Sequence, residues 1–291
     1  MSNLLFAHGL AMPEGPVALS DGSIALVEMG QSRKSVTIVR PDGTTRTVCR
    51  HGGNPNGLAM DGNGSFWVAG GPGQSLIRVD ADGKIIARVD QDGQRPFLFP
   101  NDVAFGPDGF VYMTDSGIAP EAMTGLAEQE LARLDYDGSV YRIDPRTCRV
   151  VQKIAGGLKF ANGLAFSPTG DLLFNETLTG LVYRLIPDGR FEPFANVVAA
   201  PSGAVKGPDG MAFAADGTLY CAVLNEGHVC VMDCDGTVID RLSTNGLLPT
   251  NLAFDPNGDR IYVTEIEGGA IEIISAGRAG LPLHRPQIDE S

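Results

Sequence analysis

Basic residues, tryptophan and uninterrupted apolar runs are all scarce in this 291-residue chain. Lysine and arginine number 22 against 35 acidic residues, a formal charge of −13, so nucleic acid or an anionic membrane surface would be repelled. No window approaches the ~18 consecutive apolar residues that a spanning helix needs. The opening MSNLLFAHGLAMPEG has no basic stretch followed by a long apolar one. The expectation is a cytoplasmic protein with neither nucleic acid nor membrane as partner. Cysteine is thin as well: Cys49, Cys148, Cys221, Cys230 and Cys234 are odd in number and scattered, unlike a secreted disulfide framework, and are expected to be reduced. Cys230 and Cys234 have no second Cys or His pair near them in sequence to complete a zinc site.

Glycine and proline, by contrast, are plentiful at 38 and 19, which disfavours long helices because each interrupts the intrahelical ladder. With 43% hydrophobic and 20% charged residues, the chain has enough apolar material for a packed, mostly β structure.

The sequence also repeats itself. Six segments start at Glu14, Asn56, Asn101, Asn162, Asp209 and Thr250, each with Asp, Asn or Thr seven positions later followed by glycine, at Gly22, Gly64, Gly109, Gly170, Gly217 and Gly258. Small and apolar residues lie between. The glycine is expected to supply the positive φ of a tight hairpin, with a short strand on either side. A second turn and further β-prone stretches follow, as in SVTIVRPDG and SLIRVDADG, giving four strands per unit. The lead residues are 42, 45, 61, 47 and 41 apart, close to the ~40–50 residues of a four-stranded propeller blade. The predicted fold is therefore all-β: one six-bladed β-propeller domain over residues 1–291. The wide spacing comes from residues 117–136, rich in helix formers, placed between strands two and three of blade three. Blade six lacks a fourth strand after AIEIIS, and residues 3–8, NLLFAH, are expected to supply it and close the ring.

Equivalent positions at the start of the inner strands converge on a propeller's axis, so the six lead residues should form a ring. None is apolar, and Asn and Asp are disfavoured in strands. Two carboxylates with amide carbonyls make an all-oxygen set suited to a hard cation, Ca²⁺ first, with Mn²⁺ or Zn²⁺ as other divalent choices.

In order and spacing, Glu-Gly-Pro at 14–16, Pro-Asn-Asp at 100–102, Ala-Asn-Gly at 161–163, Pro-Asp-Gly at 208–210 and Tyr-Val-Thr-Glu at 262–265 resemble the senescence marker protein, gluconolactonase and luciferin-regenerating enzyme (regucalcin-like) family across nearly the whole chain. The resemblance implies a six-bladed propeller with Glu14, Asn162 and Asp209 as metal ligands, and Asn101 as a further ligand or a contact to substrate. It also implies a metal-dependent lactonase acting on a small-molecule lactone or ester. Family lactonases often carry Arg two residues before the Asn of the Asn-Asp pair; here Phe99 stands there, which points to a less polar substrate.

On this reading the metal polarises the ester carbonyl and Asp209 aids activation of water. Asn101, Asn56, Phe99 and His51 are the expected substrate contacts. His51, in CRHGGNPNG, precedes the second inner strand by a few residues, a position that suits a proton shuttle or substrate contact, although a purely structural loop histidine is the commoner case. Lys159 and Lys206 each lie three residues before a lead residue, and Glu28, Asp115, Glu176 and Glu265 close second strands either as supports for the site or as solvated strand ends. Two alternatives remain at this level: an organophosphate-hydrolysing propeller, and a non-catalytic NHL-like binding propeller.

Overall fold

A computed structural model describes residues 2–198 and 205–289. It is a six-bladed β-propeller of four-stranded antiparallel blades. Blade one runs Pro13–Ala18, Ile24–Glu28, Ser35–Val39 and Thr45–Arg50; the inner strands of the other blades are Leu58–Met60, Pro100–Phe105, Ala161–Phe166, Gly207–Phe213 and Pro249–Phe254. The second strand of every blade is buried nearly throughout, whereas the outermost strands, such as Thr45–Arg50 and Val238–Ser243, face solvent on one side. This gradient follows from geometry, since an inner or second strand has blades on both faces.

The core is divided among the seams between neighbouring blades. Val17, Val27 and Leu58, for example, pack blade one on blade two, and Tyr112, Leu164 and Phe174 pack three on four. The lone tryptophan, Trp67, lies in the seam of blades two and three with Phe105. Its indole N–H donates to Asp61, which also accepts from buried Arg78 at 2.8 Å. A large apolar ring is thereby buried with its single donor satisfied.

The first hairpin of each blade forms as expected. Gly22, Gly64, Gly109, Gly170 and Gly217 have φ between 78° and 90°. Blade six departs from this: Asp255 pairs with Arg260 rather than with a residue four away, and Gly258 is not left-handed. One extra residue in that turn, from Asp-Pro-Asn-Gly-Asp, removes the need for a positive φ at the glycine. The 117–136 excursion contains two short helices, Pro120–Met123 and Glu128–Leu131, between strands two and three of blade three.

The ring is closed by the N-terminus. Leu4–Ala7 pairs with Ala270–Ser275 in antiparallel register, Leu4 opposite Ile273. Asn3 donates to Glu272 and to the Ser243 carbonyl, so the closure also ties blade six to blade five. A second closure was not legible in the repeats. Residues 276–289 cross the end of the axial channel where the hairpin turns gather: Leu281 N–H donates to Phe213, Arg285 to the Ala18 carbonyl, Gly62 N–H to Pro286, and Ile288 is buried in the seam of blades two and three. Above this segment lies a cavity of about 390 Å³ lined by inner-strand residues of all blades, mostly apolar, with Asp102 and Asn251 at its far limit.

Deleting residues 1–9 removes the strand that covers the open edge of blade six. The expected result is a drop in melting temperature of more than about 5 °C, equivalent to a few kcal/mol in a chain of this size. An unchanged thermal transition would show that the closure contributes nothing.

Candidate functional site

In blades one, three, four and five the inner strand breaks register around or just beyond its lead residue, between Glu14 and Val17, Pro100 and Val103, Ala161 and Leu164, and Pro208 and Met211. A bulge there re-aims side chains that a regular pleat would send alternately into the two seams. Glu14, Asn101, Asn162 and Asp209 are all buried at this level of the axis. Asn101 and Asn162 give their amide N–H groups to Ser116 Oγ at 2.9 Å and Thr177 Oγ1 at 3.0 Å. Those hydroxyls in turn donate to the Ala161 and Pro208 carbonyls of the next blade. With the nitrogens engaged, the amide oxygens are left for a ligand.

The electrostatics of the ring are one-sided. Burial raises the Glu14 carboxyl well above its ordinary range, and Asp209 and Asp102 raise it further; hydrogen bonds from Asn251 and the Gly15 N–H only partly oppose this. Asp209 is raised by burial and then by Asp102, against hydrogen bonds from Asn162 and the Gly210 N–H. Asp102 is pushed up to about 6 by its burial. Among the described residues no Lys, Arg or His acts on any of the three. Glu14 Oε2 is buried with no hydrogen-bond partner at all. A buried carboxylate in that position either takes up a proton or meets a cation.

The donor chemistry fits a hard divalent cation. Among the described residues no three His, Cys, Asp or Glu side chains converge at metal-binding spacing, so a cation here would be shared between carboxylates and neutral amides. Oxygen donors of that kind suit Ca²⁺ first, whereas Zn²⁺ more often takes His or Cys. Glu14, Asp209, Asn162 and Asn101 are the residues that would hold it.

The other lead residues behave differently. Thr250 spends its hydroxyl on Thr264 Oγ1 at 2.9 Å and the Pro13 carbonyl, joining blade six to blade one. Asn56 lies two residues before its strand, half-buried, with its N–H on Ala69. His51 is half-buried on the same loop; its Nδ1 accepts from Gly53 N–H at 3.3 Å, which places its hydrogen on Nε2, a buried donor with no protein acceptor. Burial, and secondarily Lys34, push His51 down to about 4, so it is neutral at physiological pH. Phe99 and Phe160 stand two residues before Asn101 and Asn162 and meet edge to face at 6.2 Å. Lys206 is paired with Glu226 at 2.8 Å, and Lys159 lies 4.0 Å from Asp135.

The acids that end second strands prove to be supports for the loops. Glu28 accepts from Ala11 N–H, Asp115 from Leu98 and Phe99, Glu176 from Lys159, and Glu265 from Leu248. Each holds the backbone that leads into the ring. Asp102 and Asn251 are ring residues that the repeat analysis passed over, although a signal was available. The position after the lead residue is glycine in four repeats, at Gly15, Gly57, Gly163 and Gly210, and only these two depart from it. Glycine is required there because a Cβ at Gly163 would strike the Asp209 carbonyl and one at Gly210 the Asn251 side chain. Asp102 bonds the Val103 and Leu164 N–H groups, bridging blades three and four.

Over residues 13–267 the sequence matches the SMP-30/Gluconolactonase/LRE-like region. It is 24% identical over 288 residues to a gluconolactonase of Zymomonas mobilis, spanning 89% of this chain and 78% of that protein. It is 27% identical over 260 residues to the diisopropyl-fluorophosphatase of Loligo vulgaris, spanning 86% and 79%. Among solved structures, a gluconolactonase from Xanthomonas campestris superposes with a TM-score of 0.73 at 25% identity, covering 94% of this chain and 88% of that one.

A cation that neutralises buried carboxylates binds the folded chain alone, so calcium is expected to raise the melting temperature, with about 2.7 kcal/mol gained at a hundredfold excess over Kd. Glu14→Gln should abolish that shift in differential scanning fluorimetry; a full shift in the variant would remove Glu14 from the site. His51 gives a separate expectation for pH. The unfolded imidazole takes its proton near 6.5 and the folded one only near 4, so stability is lost as pH falls through that window, by at most ~1.4 kcal/mol per pH unit. His51→Asn should remove that loss from urea-unfolding stability, leaving the raised Glu14, Asp102 and Asp209 carboxyls to favour the folded state as pH falls, and an unaltered slope would place the acid sensitivity elsewhere.

Proposed function

The chain belongs to the SMP-30/gluconolactonase/LRE-like family, and from that premise we propose that it is a metal-dependent lactonase whose centre is the ring of Glu14, Asn101, Asn162 and Asp209. The observation that carries this reading is Glu14 Oε2, buried without a partner beside two more acids. Gluconolactonase and other lactonase relatives support hydrolysis of a lactone as the reaction class.

When bound, a divalent cation would supply Lewis-acid polarisation of the ester carbonyl. The chain's own residues do the rest. Asn101 and Asn162, fixed by Ser116 and Thr177, orient the ester at the ring. Asp209 takes a proton from water as its oxygen bonds to the acyl carbon. The acyl–oxygen bond of the ring then breaks, and that proton passes to the departing alkoxide. The product is a single hydroxy acid, which ionises at neutral pH and releases one proton per turnover. On this reading the Nε2–H of neutral His51, buried and without a protein acceptor, serves as a donor to substrate.

A second reading rests on the similarity to diisopropyl-fluorophosphatase. The same carboxylates and amides would then serve a phosphoryl ester in place of an acyl one. The binding-propeller alternative leaves three buried acids with no function to offset their cost.

Proton release from a lactone panel, measured in parallel with fluoride release from a fluorophosphate, separates the two enzymatic readings. Asp209→Asn is expected to lower kcat at least ~100-fold, the scale of lost general-base catalysis, while a reduced calcium-induced thermal shift persists through the retained side-chain oxygen. Turnover within a few-fold of wild type would exclude Asp209 as the base.

A further inference from the structure

The residue two before each ring position occupies one recurring place in the fold. In blades one, three, four and six its carbonyl accepts from the N–H just past the second strand: Met12 from Met29, Phe99 from Ser116, Phe160 from Thr177 and Leu248 from Ile266. These four therefore line a common rim above the carboxylates, and all four are large and apolar. Leu98 and Leu247, adjacent in sequence, are 39% and 60% exposed, and Met12 is 44% exposed.

The backbone at this rim asks for a different residue type. Met12 has φ 53° and Phe160 φ 65°, the left-handed region in which glycine or asparagine is at ease and a bulky side chain is strained. Blade five has Gly207 at the corresponding position, with φ 148°. A large apolar side chain kept in a strained conformation, half in water, points to use of that side chain rather than to folding.

The arrangement around the axis is also ordered. Blades six and one lie diametrically opposite blades three and four, so Leu247, Leu248 and Met12 face Leu98, Phe99 and Phe160 across the mouth. The second arc is stiffened by Tyr136, whose ring meets Phe160 at 5.8 Å and whose hydroxyl donates to Leu131 in the helical excursion. The perpendicular direction is polar, with Asn54 and His51 on the loop entering blade two, Lys34 of blade one bonded to Asn54, and Lys206 with Glu226 on blade five. Among the described rim residues, charged groups thus flank the mouth on two sides and two apolar arcs confront each other on the others.

We propose that these two arcs form the recognition site for the non-reacting part of the substrate, and that the substrate class is a lactone bearing an aryl or alkyl substituent rather than a polyhydroxylated sugar lactone. The inference rests on the lactonase reading for the ester and on the rim alone for the substituent. A sugar lactone would set its hydroxyls against Phe99, Phe160, Met12 and Leu248, none of whose side chains can hydrogen-bond, and would lose the bonds it made to water. An alkyl or aryl group in the same place removes apolar surface from water on both partners, about 0.8 kcal/mol for each methylene, so a few carbons separate the two classes by ten- to a hundredfold.

The test has a kinetic and a binding arm, both on the calcium-loaded protein. Dihydrocoumarin and γ-nonalactone should be hydrolysed with kcat/KM at least tenfold above that for glucono-δ-lactone. Phe99→Arg should lower that ratio at least tenfold, Phe99→Leu should largely keep it, and Phe160→Gly, which removes the ring while relieving the left-handed backbone, should lower it with no loss of melting temperature. A wild-type preference for gluconolactone, or a ratio untouched by Phe99→Arg and Phe160→Gly, would overturn the proposal while leaving the lactonase reading intact. In the second arm, calorimetry compares the unreactive lactams of dihydrocoumarin and gluconolactone. Tighter binding of the aryl lactam, weakened by Phe99→Arg, supports the rim even if no lactone is turned over, which would end the lactonase reading alone. Tighter binding of the sugar lactam, or binding of neither, ends the proposal about the rim.

Discussion

Three carboxyl groups, Glu14, Asp102 and Asp209, share a buried space at the propeller axis with no basic side chain among the described residues acting on them. Isolated buried charge is among the costliest arrangements a protein can hold. Much of the surrounding construction is explained by the need to keep these groups in place. The acids come from blades one, three and five, so no local segment can relax the repulsion without moving against its neighbours. Asn251, Asn162 and the backbone N–H groups of Gly15 and Gly210 each hydrogen-bond one of the acids, yet Glu14 Oε2 stays unsatisfied. The fold stabilises the ring up to the last interaction and leaves that one to a ligand.

The scaffold can hold such a centre because its stability is generated elsewhere. Apolar packing is distributed through the seams between blades, and the seams of one side, such as Val229 and Val263 between blades five and six, do not involve the ring. The strained positions lie at the mouth, held by carboxylates that end the second strands. Glu28, Asp115, Glu176 and Glu265 therefore join the rigid body of each blade to the loop it presents. Precise placement of loop residues on a packed framework is what a site needs if its groups are to act without rearrangement.

How much of this was legible in the sequence depended on whether the feature repeats. Blade number, strand count, the excursion in blade three and the N-terminal closure all follow from a period that a reader can count, because each glycine turn has a local steric cause. The ring residues were legible for the same reason, as polar residues at one phase of the repeat. What escaped was what breaks the period. Asp102 and Asn251 replace glycine at the next position, and a reading centred on the lead residues passes over them. Residues 276–289 belong to no repeat, and three of their partners, Ala18, Phe213 and Asn63, lie 68 to 267 residues away. Thr250 shows the opposite error: its phase is right, but a hydroxyl is short enough to bond Thr264 and the backbone of blade one instead of reaching the axis.

The C-terminal segment also gives the channel a direction. By crossing the end where the hairpin turns lie, with Arg285 held on Ala18 and Ile288 buried, it narrows the apolar axial cavity on that side. The carboxylates then lie between a mostly apolar chamber and the opposite mouth. A charged or polar ligand gains nothing from the chamber, since an unpaired charge moved there loses its hydration. The mouth offers such a ligand the better approach to the ring. On that side the approach runs between the two apolar arcs or beside the polar flanks of blades two and five, and the bulges beyond Glu14, Pro100, Ala161 and Pro208 deliver the acids and amides to the same opening. The local break in these inner strands thus does two things at once: it gathers the oxygens at the axis, and it sets the residues just ahead of them around the entrance. The chemistry of the ring and the selectivity of its mouth are consequences of one backbone feature repeated around the propeller.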